Sequence, residues 1–439
     1  MRLERRPADP AWTDIQATVD AVLDRRLDRA TPAPLVVAFS GGGDSLALLL
    51  AAKAWADGAG RRLHAITVDH RLRPVGAEWA VWCDNRAARL AAPHSTLVWA
   101  GAKPVTGMAA AARRARHRLL AEAARDFGAA VILMGHTADD RLEADWMRAA
   151  GTSVPDPRIW APSPVWPEGR GVFILRPLLN IRRAAIRAGL TARGEAWIDD
   201  PANTDPAQTR ARARIALAGF DVAPPTARDE PACPLFDSVI EGRAGDLSMP
   251  VVDLIKARAD DARAVVGAAL LCAAGTSRPP RRDRLERLLD DIRGREAFVA
   301  TLAGARVEGD GAVVRFVRDA GEFKRRGLGD QDLPLGQPVV FDGRFEVTAR
   351  RAGQRLGPLG GRASAISKVE RLALKSTPPR ARAATPVVVS SDGLVSTPLF
   401  ADQPDTAIRS LVLPRLAAAL SVINCETAVT CVAKSAGTS

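Results

Sequence analysis

The chain has 439 residues, 47% of them hydrophobic, and carries 62 Lys and Arg against 50 Asp and Glu, a formal net charge of +12. That is too apolar for a disordered chain, long for a single hydrophobic core, and basic enough to expect an anionic partner, nucleic acid first. Cys83, Cys233, Cys272, Cys425 and Cys431 form no CxxC, the N-terminus lacks a signal peptide's apolar core, and no apolar run reaches about 18 residues; this argues against a zinc ribbon, a disulfide scaffold, secretion and a membrane span, and fits a reducing cytoplasm.

In chain order, Ile15, Val19, Val22, Leu23 and Leu27 have helical spacing over 11–30. Leu35–Phe39 is a short apolar run with the character of a buried strand. It breaks at Ser40-Gly41-Gly42-Gly43-Asp44-Ser45, and a buried helix resumes from Leu46. Strand, Gly-rich turn and helix in that order make an anion site. Glycines let the backbone approach a phosphate, the helix's first N–H groups point at it, and Ser40 and Ser45 add hydroxyl donors. The stretch has neither the Walker lysine nor the GxGxxG spacing. Asp44 beside a phosphate calls for a cation, and Mg²⁺ is the one expected. A plain Gly-rich turn is the alternative for the glycines alone; both serines and the aspartate weigh against it.

Leu63–Val68 reads as a second strand ending at Asp69-His70-Arg71-Leu72-Arg73-Pro74, followed by a helix over 77–91 and a strand over Ser95–Trp99. An Ala/Arg helix spans 108–127, and strand Val131–Met134 runs into Gly135-His136-Thr137-Ala138-Asp139-Asp140-Arg141-Leu142-Glu143. Strands alternating with helices predict an α/β fold, a doubly wound, mostly parallel sheet. Ligands bind beyond the carboxyl ends of such strands. The polar stretches at 40–45, 69–73 and 135–143 each follow a strand, so they converge on one pocket. Residues 151–168 read as a loop, Phe173–Leu179 as extended, 181–194 as a helix, Trp197–Asp205 as a polar turn, and Arg210, Arg212 and Arg214 as a basic segment.

These stretches make residues 1–220 a catalytic domain, followed by a linker over 221–245. Two smaller α+β modules follow: 246–325, with two helices split near 275–281, and a β-rich 333–400. Residues 401–420 read as a last helix, and the tail to 439 has no clear pattern.

Asp140 and Glu143 stand three apart, so they share a helical face and can hold Mg²⁺ or a substrate ammonium; a helix N-cap cluster is the alternative. His136 has the chemistry to bond a phosphate or a base. Arg113 and Arg116 share a face and suit triphosphate or RNA, whereas Arg114 and Arg118 read as solvated. His70 and Arg73 follow the second strand. Arg210 and Arg214 either close the pocket or lie on an exposed helix.

Taken in order, Ser40–Ser45, Val68–Pro74, Ala112–His117, Gly135–Glu143, Arg176–Leu179 and Asp200–Asp205 resemble the bacterial tRNA(Ile)-lysidine synthases of the PP-loop ATP pyrophosphatase superfamily. The likeness spans roughly 35–215, with a looser match over Leu374–Pro386. It implies a PP-loop, adenine-nucleotide alpha-hydrolase-like fold and a cytoplasmic ligase. Such an enzyme adenylates the 2-carbonyl oxygen of the wobble cytidine in the CAU-anticodon isoleucine tRNA. Lysine then attacks through its ε-amine and displaces AMP, and the lysidine formed moves decoding from AUG to AUA. On that resemblance Ser40, Gly41, Gly42, Gly43, Asp44, Ser45, Arg113 and His136 bind ATP, Asp44 holds Mg²⁺, and Asp140, Glu143 and Arg210 take L-lysine. Asp44, Asp140 and Glu143 are the expected catalytic residues, the basic C-terminal modules grip the tRNA, and a homodimer is compatible with the sequence.

The chain departs from the family's habit at Gly43, usually a larger apolar residue, at Arg141, commonly Gln, at Ala211, usually Asn, and at His117, often Tyr. The competing readings are a PP-loop tRNA thiolase, which the lone N-terminal Cys83 disfavours, and a non-enzymatic RNA-binding protein on the same fold.

Overall fold

The computed structural model describes residues 10–152, 154–201, 205, 209–218, 223, 226–227, 230–325, 327–401 and 403–435. The chain divides into two compact units, residues 1–230 with 424–430, and residues 231–423 with 431–439.

The first unit contains α1 (Pro10–Arg26), β1 (Leu35–Ala38), α2 (Gly43–Ala59), β2 (Leu63–Asp69), α3 (Val75–Arg89), β3 (His94–Val98) and α4 (Met108–Asp126). It continues with β4 (Val131–Leu133), α5 (Ala138–Ala149), β5 (Trp160–Pro162), β6 (Phe173–Leu175), α6 (Arg183–Ala192) and α7 (Thr209–Leu217). The sheet order is β3-β2-β1-β4-β6-β5. All neighbours are parallel except β5, which pairs antiparallel with β6. The mostly parallel α/β sheet is thus as expected.

Strand β5 was not. Residues 151–168 read as a loop because Pro and Gly dominate them, yet Trp160–Pro162 pairs with Phe173–Leu175. As an edge strand it tolerates Pro162, which has no N–H to give.

Leu35, Val36 and Val37 are fully buried, as a central strand covered on both faces requires. Val36, Ile66, Ile132 and Ile174 pack with Leu120 and Ala124 of α4 on one face; α1, α2 and α6 pack together on the other. The strand order reverses between β1 and β4, which puts the loop after β1 beside the loop after β4. Gly135 permits that approach: a Cβ there would lie 2.9 Å from the Asp44 carbonyl oxygen. This is the switch point where a doubly wound sheet opens a ligand crevice.

The first unit also includes residues from the far end of the sequence. Glu426 is buried against Arg61, with Oε2 accepting from Nη1 at 2.7 Å and Oε1 from Nη2 at 3.0 Å. Glu426 Oε2 also accepts from the Asp28 backbone N–H at 2.9 Å.

The second unit opens with β7 (Ile240–Glu241), β8 (Leu247–Pro250), α8 (Val251–Lys256), α9 (Ala259–Ala274), α10 (Arg282–Gly294), β9 (Phe298–Leu302), β10 (Ala305–Gly309) and β11 (Val313–Arg318). Its first sheet is antiparallel in the order β7-β8-β11-β10-β9. Val265, Val266, Ala269 and Leu270 of α9 are buried in one cluster with Leu288 and Phe316.

The remaining elements are α11 (Gly321–Arg325), β12 (Gln331–Leu333), β13 (Pro338–Phe341), β14 (Phe345–Ala349), β15 (Gln354–Pro358), α12 (Lys368–Ala373) and α13 (Pro379–Arg382). After them come β16 (Pro386–Val389), β17 (Val395–Ser396), β18 (Thr406–Ser410), α14 (Val412–Ala419) and α15 (Glu426–Ser435). They give a four-stranded sheet, β12-β15-β16-β17, and a three-stranded one, β13-β14-β18. The helix expected over 401–420 is therefore a strand and a shorter helix: Thr406–Ser410 pairs antiparallel with Phe345–Ala349. The tail, read as patternless, carries α15. Among the described residues no helix is long and apolar enough to cross a membrane.

Candidate active site

One cavity of about 1680 Å³ opens beyond the carboxyl ends of β1, β2 and β4. The stretches at 40–45, 69–73 and 135–143 all contribute to its wall, as their positions after strands predicted.

The Gly-rich turn is held open from within. Ser45 Oγ donates to the Gly42 carbonyl at 2.9 Å and accepts from the Ser40 N–H at 3.2 Å, with the two hydroxyls 3.1 Å apart. Of the two serines expected to donate to a phosphate, Ser45 also staples the loop and Ser40 is exposed. Gly41 has φ +82°. A Cβ there would lie 2.5 Å from Ile198 Cδ1, because the Ile198 N–H donates to the Gly41 carbonyl at 2.9 Å.

Gly43 is different, because a Cβ would rest 3.5 Å from the Trp197 ring and 3.6 Å from Leu190. Trp197 thus covers the space that an apolar side chain at 43 would fill. Gly43→Ala is accordingly expected to fold with stability raised by about 0.5 kcal/mol, since Gly is costly in a helix. Gly41→Ala is expected to cost about 1–2 kcal/mol for the left-handed backbone, before the Ile198 clash. Urea unfolding of the two variants checks both signs.

Asp44 lines the cavity and its Oδ2 accepts from Arg183 Nε at 3.0 Å. Burial raises its carboxyl above the usual range, against the pull of Arg183. Across the cavity, the first turn of α5 carries the other acids. Asp140 Oδ2 accepts from the Thr137 backbone N–H at 2.7 Å and from Thr137 Oγ1 at 3.0 Å. Its Oδ1 stands 3.0 Å from Arg210 Nη2. The helix-cap reading and the cavity reading therefore both hold, one for each oxygen. Burial alone would raise the Asp140 carboxyl, but the guanidiniums of Arg210 and Arg183 hold it below the usual carboxylate range.

Glu143, one turn on, is 1% exposed. It accepts from Arg210 Nε at 2.8 Å, Arg214 Nε at 2.8 Å and Arg183 Nη1 at 3.1 Å. Arg210 and Arg214 thus close on the pocket, and the departure Ala211 is buried on α7 behind them.

His136 Nδ1 accepts from Arg176 Nε at 3.3 Å. Burial, with Arg176 second, drives its pKa well below the ordinary value, so the ring facing the cavity is neutral. His117 is likewise buried and neutral, pushed down to about 2 by burial and then Arg116. Arg116 lines the cavity, its pKa pulled down to about 10 by burial. Arg113, the residue expected at ATP, is exposed on α4 yet near the site: its pKa is lowered by burial of its environment and then by Arg210, with Asp140 pulling the other way. His70 and Arg73 also line the wall, and Arg73 bridges to Asp200 at 2.6 Å. The rest of that polar turn, residues 202–204, lies outside the described residues. Arg141 turns away to pair with Asp156 at 3.4 Å.

Arg183 escaped sequence reasoning, and so did the part that Asp139 plays beside it. Asp139 Oδ2 accepts from the Arg183 backbone N–H at 2.7 Å and so pins the start of α6 to α5. Arg183 then reaches Asp44, Asp140 and Glu143 together. Nothing in the run Arg182-Arg183-Ala184-Ala185-Ile186-Arg187 marks the second arginine out.

The PP-loop domain family matches residues 13–219. The chain is 46% identical over 414 residues to the tRNA(Ile)-lysidine synthase of Caulobacter vibrioides, covering 93% of this chain and 98% of that one. It is 40% identical over 313 residues to the tRNA(Ile)-lysidine synthase of Hyphomonas neptunium, covering 66% and 83%. Among solved structures it is similar to the U34-tRNA thiolase NcsA from Methanococcus maripaludis at 14% identity and a TM-score of 0.40, over 49% of this chain and 79% of that one.

Proposed function

The chain belongs to the tRNA(Ile)-lysidine synthase family, and from that premise we propose how its cavity carries out an ATP-dependent ligation of lysine to the wobble cytidine of the CAU-anticodon isoleucine tRNA. The observation that carries the reading is that Asp140 and Glu143 face the 40–45 loop within one cavity. A phosphate grip and an ammonium grip on opposite walls suit a reaction that activates with ATP and finishes with an amine.

ATP lies with its phosphates against the Gly-rich turn, where the first N–H groups of α2 meet the charge that grows on the departing pyrophosphate. The cytidine 2-carbonyl oxygen attacks the α-phosphorus, and the α–β bridging bond breaks. Neutral His136 and charged Arg116 sit on the wall beside this step. The ε-amine of lysine then attacks C2 of the adenylated base, and AMP leaves with the former carbonyl oxygen. The amine enters as an ammonium, which Asp140 and Glu143 hold and orient, and it must lose a proton before it attacks. The charged Asp140 carboxylate, held below its ordinary range by Arg210 and Arg183, suits holding the ammonium.

Mg²⁺ fits this wall in one way. Among the described residues no group of three His, Cys, Asp or Glu could hold a metal, but Mg²⁺ commonly takes one or two carboxylates and completes its shell with phosphates and water. Asp44 would hold it, and its burial-raised carboxyl is what a cation would offset. The ion would neutralise pyrophosphate charge.

In the second unit, a middle module over 246–325 and a β-rich module over 333–400 take the tRNA through shape and phosphate contacts. The reagents place the reaction in the cytoplasm. Thiolation is disfavoured at this cavity: Cys83, the one cysteine of the N-terminal half, is buried and pushed up to about 11, so it stays a thiol rather than a reactive thiolate.

The test is incubation of the full chain with ATP, Mg²⁺, labelled lysine and a CAU-anticodon isoleucine tRNA transcript. Label is expected in the tRNA with release of AMP. ATP turnover that needs tRNA but leaves it unlabelled would overturn the reading.

A further inference from the structure

Arg183 touches both walls of the cavity. Toward the phosphate wall its Nε donates to Asp44 Oδ2 at 3.0 Å. Toward the amine wall its Nη1 donates to Glu143 Oε1 at 3.1 Å. Its Nη2 stands 3.6 Å from Asp140 Oδ2 and, among the described residues, has no hydrogen-bond partner. The backbone cannot follow a swing of the side chain, because Asp139 holds its N–H at 2.7 Å. Only the guanidinium is free to exchange partners.

A permanent cation therefore occupies the place where the reaction described above needs two others: the cation that accompanies the phosphates at Asp44, and the substrate ammonium at Asp140 and Glu143. Burial alone would lower the Arg183 pKa, but Asp140, Asp44 and Glu143 together raise it, so the charge is always present. Lysine cannot take Glu143 Oε1 beside that charge without added repulsion; Arg210 and Arg214 also hold Glu143, and of the three only Arg183 reaches Asp44 as well. A bound triphosphate changes the balance, since a guanidinium forks onto phosphate oxygens as readily as onto a carboxylate, and Nη2 has only a 3.6 Å ion pair with Asp140 and no hydrogen bond to give up.

Resting on that reading of the site, we propose that Arg183 couples the two small substrates: with no nucleotide bound it neutralises the acids that take lysine, and ATP draws its guanidinium toward the phosphates, so that lysine binds tightly only once ATP is in place. Arg183 is thus a positioning residue for lysine, acting through Glu143. A merely structural ion pair would leave lysine affinity indifferent to nucleotide.

Equilibrium binding of labelled lysine to the full chain, alone and with saturating α,β-methylene-ATP and Mg²⁺, tests the coupling. In the unsubstituted protein the analogue is expected to tighten lysine binding about tenfold or more. In Arg183→Gln the ratio is expected to fall to about one, mainly because lysine binds better without nucleotide. Equal lysine affinity with and without analogue in the unsubstituted protein overturns the proposal, as does an undiminished ratio in Arg183→Gln. Should that variant not fold, Arg183→Lys, which keeps the charge but loses the fork, is read instead. Its ratio is expected to be clearly reduced, and an unchanged one overturns the coupling. Lysine that binds under neither condition and never enters tRNA overturns both this proposal and the reading beneath it. Lysine that enters tRNA while its affinity ignores nucleotide overturns the coupling alone.

Discussion

Replacing Glu143 by glutamine is expected to lower lysine transfer to tRNA roughly 100- to 1,000-fold while ATP binding changes only several-fold. The size follows from what the carboxylate holds. Glu143 is 1% exposed and accepts from three arginines, Arg183, Arg210 and Arg214. Truncating one partner of a buried charge pair in a binding site costs on the order of 2–5 kcal/mol; about 3–4 kcal/mol of that, at about 1.4 kcal/mol per tenfold, gives this range. The amide keeps the shape of the side chain but can accept at only one atom, so the guanidiniums repel one another and the ammonium site loses a charge. The 40–45 turn stands on the opposite wall with its own internal bonds, and Asp44 keeps its bond to Arg183. Steady-state kinetics with lysine varied at saturating ATP, and the reverse, separate the two effects. An unaltered KM and turnover for lysine would remove Glu143 from the amine site.

Glu426→Ala is expected to destabilise the catalytic unit by about 3–5 kcal/mol, because it strands a guanidinium in the interior. Arg61 and Glu426 have side chains 1% and 3% exposed, joined at 2.7 Å. For a unit of this size that is a fall in melting temperature of roughly 10 °C. Calorimetry of the full chain measures it. The paired replacement Arg61→Met with Glu426→Leu leaves no buried charge and is expected to recover most of the loss. A single variant melting within about 1 °C of the parent would show that water reaches Arg61 after all.

Much of the catalytic unit was legible because its signals are local. A βα turn announces itself by short-range composition, and the i, i+3 spacing of Asp140 and Glu143 fixes a shared face wherever the helix ends up. The order of the strands placed the 40–45 and 135–143 stretches in one crevice. What was not legible is tertiary. Arg183 looks like Arg182 and Arg187 until Asp139 anchors α6. Strand β5 exists only because β6 offers it an edge. Gly43 looked like a lost side chain, and the structure puts Trp197 there from 154 residues away. The strand missed within 401–420 has the same root: β18 pairs with β14 across some 60 residues, and a five-residue alternation carries little signal alone.

The Arg61–Glu426 pair also bears on how the protein is made. Residues 424–430 belong to the catalytic unit, yet the ribosome delivers them after all of 231–423. The sheet and the Gly-rich turn emerge early, but the carboxylate that neutralises Arg61 arrives almost 200 residues after residue 230 has been added. A nascent chain stalled or cleaved within the second unit therefore carries a catalytic half with an unneutralised interior charge. Truncated products that bear the ATP crevice but lack Glu426 are expected to be less stable than the full chain, since Arg61 keeps its interior place without its carboxylate.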